Sequence, residues 1–354
     1  MSSNQHISTS VHQHIKTDIV FFILISLVPV FFLLDLFIGS YYISIPDILK
    51  SLFHPSDSIP QVLTIVRDFR VPKAVTAVLA GAALSIAGLQ MQTVFRNPLA
   101  GPDILGVSSG ASLGVAILVL GAGSLIGKEI SSVAGSWSIA GAACIGSGAI
   151  IILIVLISAR VKDILTILIL GILFSSAILS IVSILQYFSS ESMLKSFVIW
   201  TMGSLGSVTN SQLTVLLPAV LCGLAIAWLV SKFLDAFLLG ENYARTMGMN
   251  VRYARIMIFI STCILAGSVT AFCGPIGFIG IAVPHIVRML LQTARHRMLI
   301  PGTILLGALV MLISDIISQL PGSESILPIN SVTSMLGIPI VIWIILKNKN
   351  IGAL

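Results

Sequence analysis

The sequence predicts an all-α integral membrane protein of about ten transmembrane helices carrying an inverted internal repeat. Three observations lead there. The 354 residues are 56% hydrophobic and only 9% charged, with a mean hydropathy of +1.08. Segments such as 19–34, 213–230 and 256–272 carry no charge at all, and a span needs about 20 largely apolar residues. Clusters of Gly and Pro also recur at corresponding places in the two halves.

Taken in order, the spans are 18–38, 71–92, 104–121, 137–158, 164–185, 211–231, 256–273, 277–291, 300–318 and 331–346. Residues 1–17 are polar, with His6, His12, His14 and Lys16, and no small-residue cleavage site follows the first apolar run. They read as a disordered polar leader, not as a signal peptide or a histidine metal tract. The third and eighth spans are interrupted by Gly and Pro and are the weakest as continuous helices. The tail 347–354 is short, which leaves 18–346 as a single transmembrane domain.

Basic residues set the orientation. With an even number of spans and both termini inside, the cytoplasmic segments hold Lys16, Arg96, Arg160, Lys162, Lys232, Arg245, Arg252, Arg255, Arg288, Arg295, Arg297, Lys347 and Lys349. The outside holds Lys50, Arg67, Arg70, Lys73, Lys128 and Lys195. The net charge of +6 is therefore mostly a topology signal and requires no nucleic acid. Cys144, Cys222, Cys263 and Cys273 fall within spans, without CxxC spacing or a Cys/His cluster. Buried apolar cysteines are expected, with neither a disulfide frame nor a metal site. Trp137, Trp200, Trp228 and Trp343 sit near span ends, as an interfacial belt requires.

The longest polar stretch is 239–255, LGENYARTMGMNVRYAR. It places Glu241, Arg245, Arg252 and Arg255 around Gly240 and Gly248, enough for a short helix, a glycine turn and a second helix. Such an element suits docking onto a soluble partner.

The halves match at an offset of 186 residues: Ala80–Gly81 with Ala266–Gly267, Gly88 with Gly274, Pro98 with Pro284, Gly121 with Gly307. The second span runs inward and the seventh outward, so the halves are related by inversion, as in many transporters. Residues 94–114 and 274–290 are the Gly/Pro-broken segments. Backbone freed by such residues survives at membrane depth only inside protein or along a cavity. Small residues also permit close helix packing. Tight packing and a nearby pathway are both open readings.

Enzyme chemistry is not apparent. Asp35, Asp315 and His285 lie near span ends without catalytic spacing, and no HExxH occurs. GAGSLIGKE (121–129) has Ala122 for the first glycine of a phosphate loop and Glu129 for its Ser or Thr. The chain should hydrolyse no nucleotide itself. Span centres nearly free of acids argue against a proton- or sodium-coupled carrier, which stands as the alternative to an externally powered transporter; a non-transport scaffold is a third class.

Five ordered segments resemble the permease subunits of bacterial ABC importers for iron–siderophore complexes, haem and cobalamin. They are RDFRVPK (67–73), MQTVFRNPLAGPDILGVSSGASLG (91–114), WTMGSLG (200–206), LGENYARTMGMNVRYAR (239–255) and GPIGFIGIAVPHIVRML (274–290). The resemblance implies a dimeric type II ABC importer permease of the bacterial inner membrane. Its partners would be a second permease copy or paralogue, two ATPase subunits and an extracytoplasmic substrate-binding protein. This chain would bind no cofactor, with ATP and magnesium held by the ATPase. Gly240, Glu241, Ala244, Arg245, Met247 and Gly248 match the ATPase-coupling motif. Asn97 and Leu99 match positions that help close the pathway to the cytoplasm, although Asn97 also reads as a helix cap. Arg70 and Lys73 match external basic residues that meet the binding protein, with headgroup anchoring as the plainer alternative. Gln319 stands where some members place a third basic residue.

Overall fold

The computed structural model describes residues 2–121, 135–161, 163–319 and 326–347. The loop 122–129 of the phosphate-loop comparison, Lys162 and the tail beyond Lys347 lie outside the described residues. Every regular element among the described residues is helical.

All ten expected spans are helices. They are α1 (Ser2–Phe37), α3 (Pro60–Val94), α4 (Val107–Gly121), α5 (Ser136–Arg160), α6 (Ile164–Tyr187), α8 (Asn210–Leu229), α11 (Val251–Cys273), α12 (Ile279–Leu291), α13 (His296–Ser318) and α14 (Ile329–Lys347). Seven contain a stretch long and apolar enough to cross a membrane; α4, α12 and α14 supply shorter apolar stretches. Short helices fill the connections: α2 (Ile45–Phe53), α7 (Glu191–Thr201), α9 (Ser231–Leu239) and α10 (Glu241–Thr246).

Two expectations are corrected here. The polar leader, expected to be disordered, is helical from Ser2 and runs into the first span without a break. The second span begins not near residue 71 but at Pro60, continuing through a π-helical stretch at Ile65–Arg70.

The core sits on α3 and α11, whose apolar windows are 89% and 72% buried against 17–28% for α1, α5, α6 and α8. Their composition explains this. Residues 74–88 of α3 are mostly Ala, Gly and Ser, so neighbours approach the backbone closely. A Cβ on Gly88 would lie 1.7 Å from Gly280 O, and one on Gly81 2.2 Å from Gly307 O. The same device joins α4 to α5, where a Cβ on Gly146 would lie 2.0 Å from Gly110 O. Gly88→Leu should therefore abolish folding, costing about 3 kcal/mol or more. Gly148→Leu, with nothing within 4 Å, should be tolerated. The monodisperse fraction after detergent extraction checks the pair.

Packing partners bear out a repeat at the level of helices. The α3–α13 contact has its counterpart in α11–α5, α4–α5 in α12–α13, α4–α6 in α12–α14, and α3–α12 in α11–α4. α3 and α11 cross on the pseudo-axis and run antiparallel, since Phe95 stacks on Phe259 while Gln90 reaches Ser261 and Thr262. The first helix of each half follows the repeat less closely, α1 lying mainly on α13 and α8 mainly on α11. The residue register of 186 fails. Gly88 is inside α3, whereas Gly274 caps α11. Val94 and Cys273, which end α3 and α11, are 179 positions apart.

Candidate functional site

At one end of the bundle, the stretch 239–255 folds as expected into a helix, a turn and a second helix. Gly240 separates α9 from α10 with φ 111°, and Gly248 turns the chain into α11 with φ 81°. A side chain there is strained whatever the space. Asn250 caps α11 by accepting from Tyr253 N at 3.0 Å.

The acid of this motif braces the element. Glu241 is bonded by Arg255 and lies 3.7 Å from Arg245, while Arg255 Nη1 donates to Val161 O at the end of α5 at 3.2 Å. Ala244 is fully buried beneath the helix. What α10 presents outward is Asn242, Tyr243, Arg245, Thr246 and Met247. Asn242, Tyr243 and Thr246 were not singled out from the sequence, and their exposure on this helix is the signal that finds them.

The loop after α3 lies against α9. Arg96 holds a left-handed φ of 48°, and its guanidinium donates to Phe237 O at 3.1 Å and Leu238 O at 3.5 Å. These carbonyls belong to the last turn of α9, where Phe237 O also accepts from Gly240 N at 3.1 Å. A Cβ on Gly240 would lie 2.5 Å from Arg96 Nη2, so a side chain there would push the guanidinium aside in addition to the strain its φ imposes. A second tie sits one turn back. His296 bridges Thr93 Oγ1 (2.9 Å) and Asp235 Oδ1 (2.7 Å), and Asp235 also accepts from His296 N at 2.8 Å. Burial acts to raise the Asp235 carboxyl, but these hydrogen bonds outweigh it and hold it below the usual carboxylate range. Asn97 Oδ1 accepts from Leu99 N at 2.9 Å, an Asx turn that leaves Leu99 exposed. Asn97 thus shapes the loop, and Leu99 is its presented side chain.

At the opposite end lie Arg70, Lys73 and Gln319, the residues expected to meet the binding protein. Arg70 is 5% exposed and donates to the carbonyls of Leu36, Phe37 and Tyr41, closing the end of α1. Lys73 Nζ lies 2.8 Å from Asp315 Oδ2 and 3.7 Å from Asp35 Oδ1. Gln319 Nε2 donates to both carboxylates, at 3.0 Å to Asp35 and 3.1 Å to Asp315. The physical reason is that two carboxylates inside the bundle need a cation and donors; Lys73 and Gln319 supply them, while Arg70 is taken up by backbone carbonyls. The Lys73 charge is thus engaged within the bundle, although its side chain remains 14% exposed. Arg70, Lys73, Asp315 and Gln319 form one wall of a cleft of about 550 Å³.

Among the described residues no group of three His, Cys, Asp or Glu side chains stands ready for a metal. Cys263 and Cys273 are buried as expected, but Cys144 and Cys222 are exposed on the flanks. Residues 110–114, GASLG, meet the G-x-S-x-G spacing. Ser112, however, lies within α4 and gives its hydroxyl to Ser108 O at 2.9 Å, so it is no nucleophile elbow.

Comparison with known proteins gives a consistent result. The model of the FecCD transport family matches residues 27–347. The chain is 35% identical over 283 residues to the hemin transport system permease protein HmuU of Yersinia pestis, covering 80% of this chain and 83% of that protein. It is 34% identical over 291 residues to the vitamin B12 import system permease protein BtuC of Salmonella paratyphi A, covering 80% and 84%. A solved structure described as an inward-facing conformation of a metal-chelate type ABC transporter matches with a TM-score of 0.79 at 28% identity, over 93% of this chain and 99% of that one.

Proposed function

The chain belongs to the FecCD transport family, and on that premise we propose that it is the permease of an importer for a large metal chelate, a ferric siderophore, haem or cobalamin. It is a multi-pass transport permease and not an enzyme, with ATP hydrolysis on a separate subunit of the ABC importer. Family membership favours this over the ion-driven carrier. The cargo reading is supported by the haem, cobalamin and metal-chelate names of the relatives.

In this reading the permease lies in the bacterial inner membrane with both termini and α10 cytoplasmic, in line with the bias of basic residues. It pairs with a second copy or a paralogue. The exposed face of α10 meets a cleft in each of two ATPase subunits, which hold ATP and magnesium; this chain binds no cofactor. The loop carrying Leu99 closes the pathway on the same side. Docking of the substrate-binding protein falls to the rim of the outer cleft, because Arg70, Lys73 and Gln319 are engaged within the bundle.

The observation that carries the reading is that α10 is a braced projection. Gly240 and Gly248 set its angle, Glu241 and Arg255 brace its base, and Asn242, Tyr243, Thr246 and Met247 stand exposed on it. Co-purification tests it. Tyr243→Ala with Met247→Asp should leave the protein in the membrane at normal yield and lose the ATPase subunits. Retention of the ATPase by that variant would count against α10 as the coupling element.

A further inference from the structure

A second cleft, of about 360 Å³, opens between the end of α5 and the start of α11, beside α10. Its size is that of small-ligand sites. Arg160, Arg245, Arg252 and Arg255 all line it. Nearby acids offset little of this charge. Glu241 is shared between Arg245 and Arg255, and Asp163 spends its carboxylate capping α6, accepting from Leu165 N, Thr166 N and the Thr166 hydroxyl. Those bonds, the Thr166 hydroxyl's first, hold the Asp163 carboxyl below the usual range. No carboxylate of the described residues lies within ion-pair distance of Arg160 or Arg252.

An independent observation points to a ligand. Ser158 lines the same cleft, is 3% exposed, and its Oγ has no hydrogen-bond partner. Ser147 and Ser268 in the two helices of the cleft give their hydroxyls to carbonyls of the preceding turn, which Ser158 does not. A buried hydroxyl left without a partner is costly, and here it stands among guanidinium groups. The 23-residue helix α11 also begins at this cleft, adding the amide groups and positive dipole end that favour anions.

We propose that this cleft binds a phosphate-bearing anion, with the guanidinium groups of Arg160 and Arg252 and the Ser158 hydroxyl as donors. Planar guanidinium forks match phosphate oxygens in pairs, and a neutral hydroxyl completes an anion site without adding charge repulsion. The chemistry is shared by the phosphodiester of an acidic phospholipid and by free phosphate. An occupant would bridge α5 to α11 directly behind α10. The inference depends on neither cargo nor ATPase, so it stands or fails apart from the transport reading.

The test uses the full-length chain purified in mild detergent. Phosphatidylglycerol and phosphatidylcholine retention are compared by native mass spectrometry, and inorganic phosphate is titrated by calorimetry. Phosphatidylglycerol should be retained over phosphatidylcholine, with binding about 30-fold weaker in Arg160→Gln/Arg252→Gln. Ser158→Ala should weaken it severalfold, and Arg67→Gln, at the other end of the bundle, should not. Inorganic phosphate binding with the same dependence on these residues would also support the site and identify a soluble source. Melting temperatures of the variants separate lost binding from lost folding. Failure of both probes to bind in a way that depends on Arg160, Arg252 and Ser158 overturns the proposal, including the outcome in which the double variant loses only its ATPase partner.

Discussion

Lys73→Met is expected to remove most of the folded protein from the membrane. Asp35 and Asp315 would then share the interior without a cation, Asp35 being fully buried and Asp315 nearly so. Breaking a buried ion pair by removing one partner costs about 3–5 kcal/mol, because the remaining charge is left uncompensated. Replacing both partners is far milder, so Lys73→Met combined with Asp315→Asn should recover much of the loss. The double-mutant cycle can be read from melting temperature and monodisperse yield. A Lys73→Met protein that melts normally, and loses only affinity for the binding protein, would restore the docking assignment and contradict the ion cluster.

The second large effect is expected at Arg96. Its two bonds to the end of α9, together with the Thr93–His296–Asp235 tie, fasten α10's approach to the helix that carries the Leu99 loop. On the proposed docking of α10, its movement against an ATPase would reach that loop through two short connections. Hydrogen bonds from a charged donor are worth about 1.5–3 kcal/mol. Arg96→Ala should accordingly lower uptake roughly tenfold or more while ATP hydrolysis by the assembled complex continues. A cysteine at Leu99 should crosslink across the dimer in a nucleotide-dependent way in the parent and indifferently in the variant. Gly240→Val, which drives a side chain into Arg96, should behave alike. Unchanged uptake with nucleotide-sensitive crosslinking in both variants would remove Arg96 from the coupling path.

The contrast between these two sites shows what one sequence can and cannot display. The helices at all ten expected positions were legible because apolar runs are a local signal; seven reach membrane length, and the short reach of α4 and α12 followed from their Gly and Pro content. The glycine turns at Gly240 and Gly248 were legible for the same local reason. The fate of Lys73 was not, since its partners stand at positions 35 and 315. One clue was available: Asp35 and Asp315 were singled out as acids near span ends, and such residues usually pair. Following that rule would have tied Lys73 inward. Arg96 was counted only as a topology charge, because its left-handed backbone and its carbonyl partners on α9 leave no pattern in the chain. The residue register of the repeat misled because Gly and Ala are frequent enough to align at several offsets. The packing of α3, α4, α5 and α6 against α11, α12, α13 and α14 settles it at the level of helices.

The central claim is that this chain moves a large chelate by coupling to a separate ATPase. Proteoliposomes holding the chain with its ATPase subunits, supplied with the binding protein and loaded with ATP on the α10 side, test it most directly. The account predicts uptake of haem, cobalamin or a ferric siderophore that requires ATP and is indifferent to proton and sodium gradients. Uptake by the chain alone, driven by either gradient and unchanged by ATP, would contradict it.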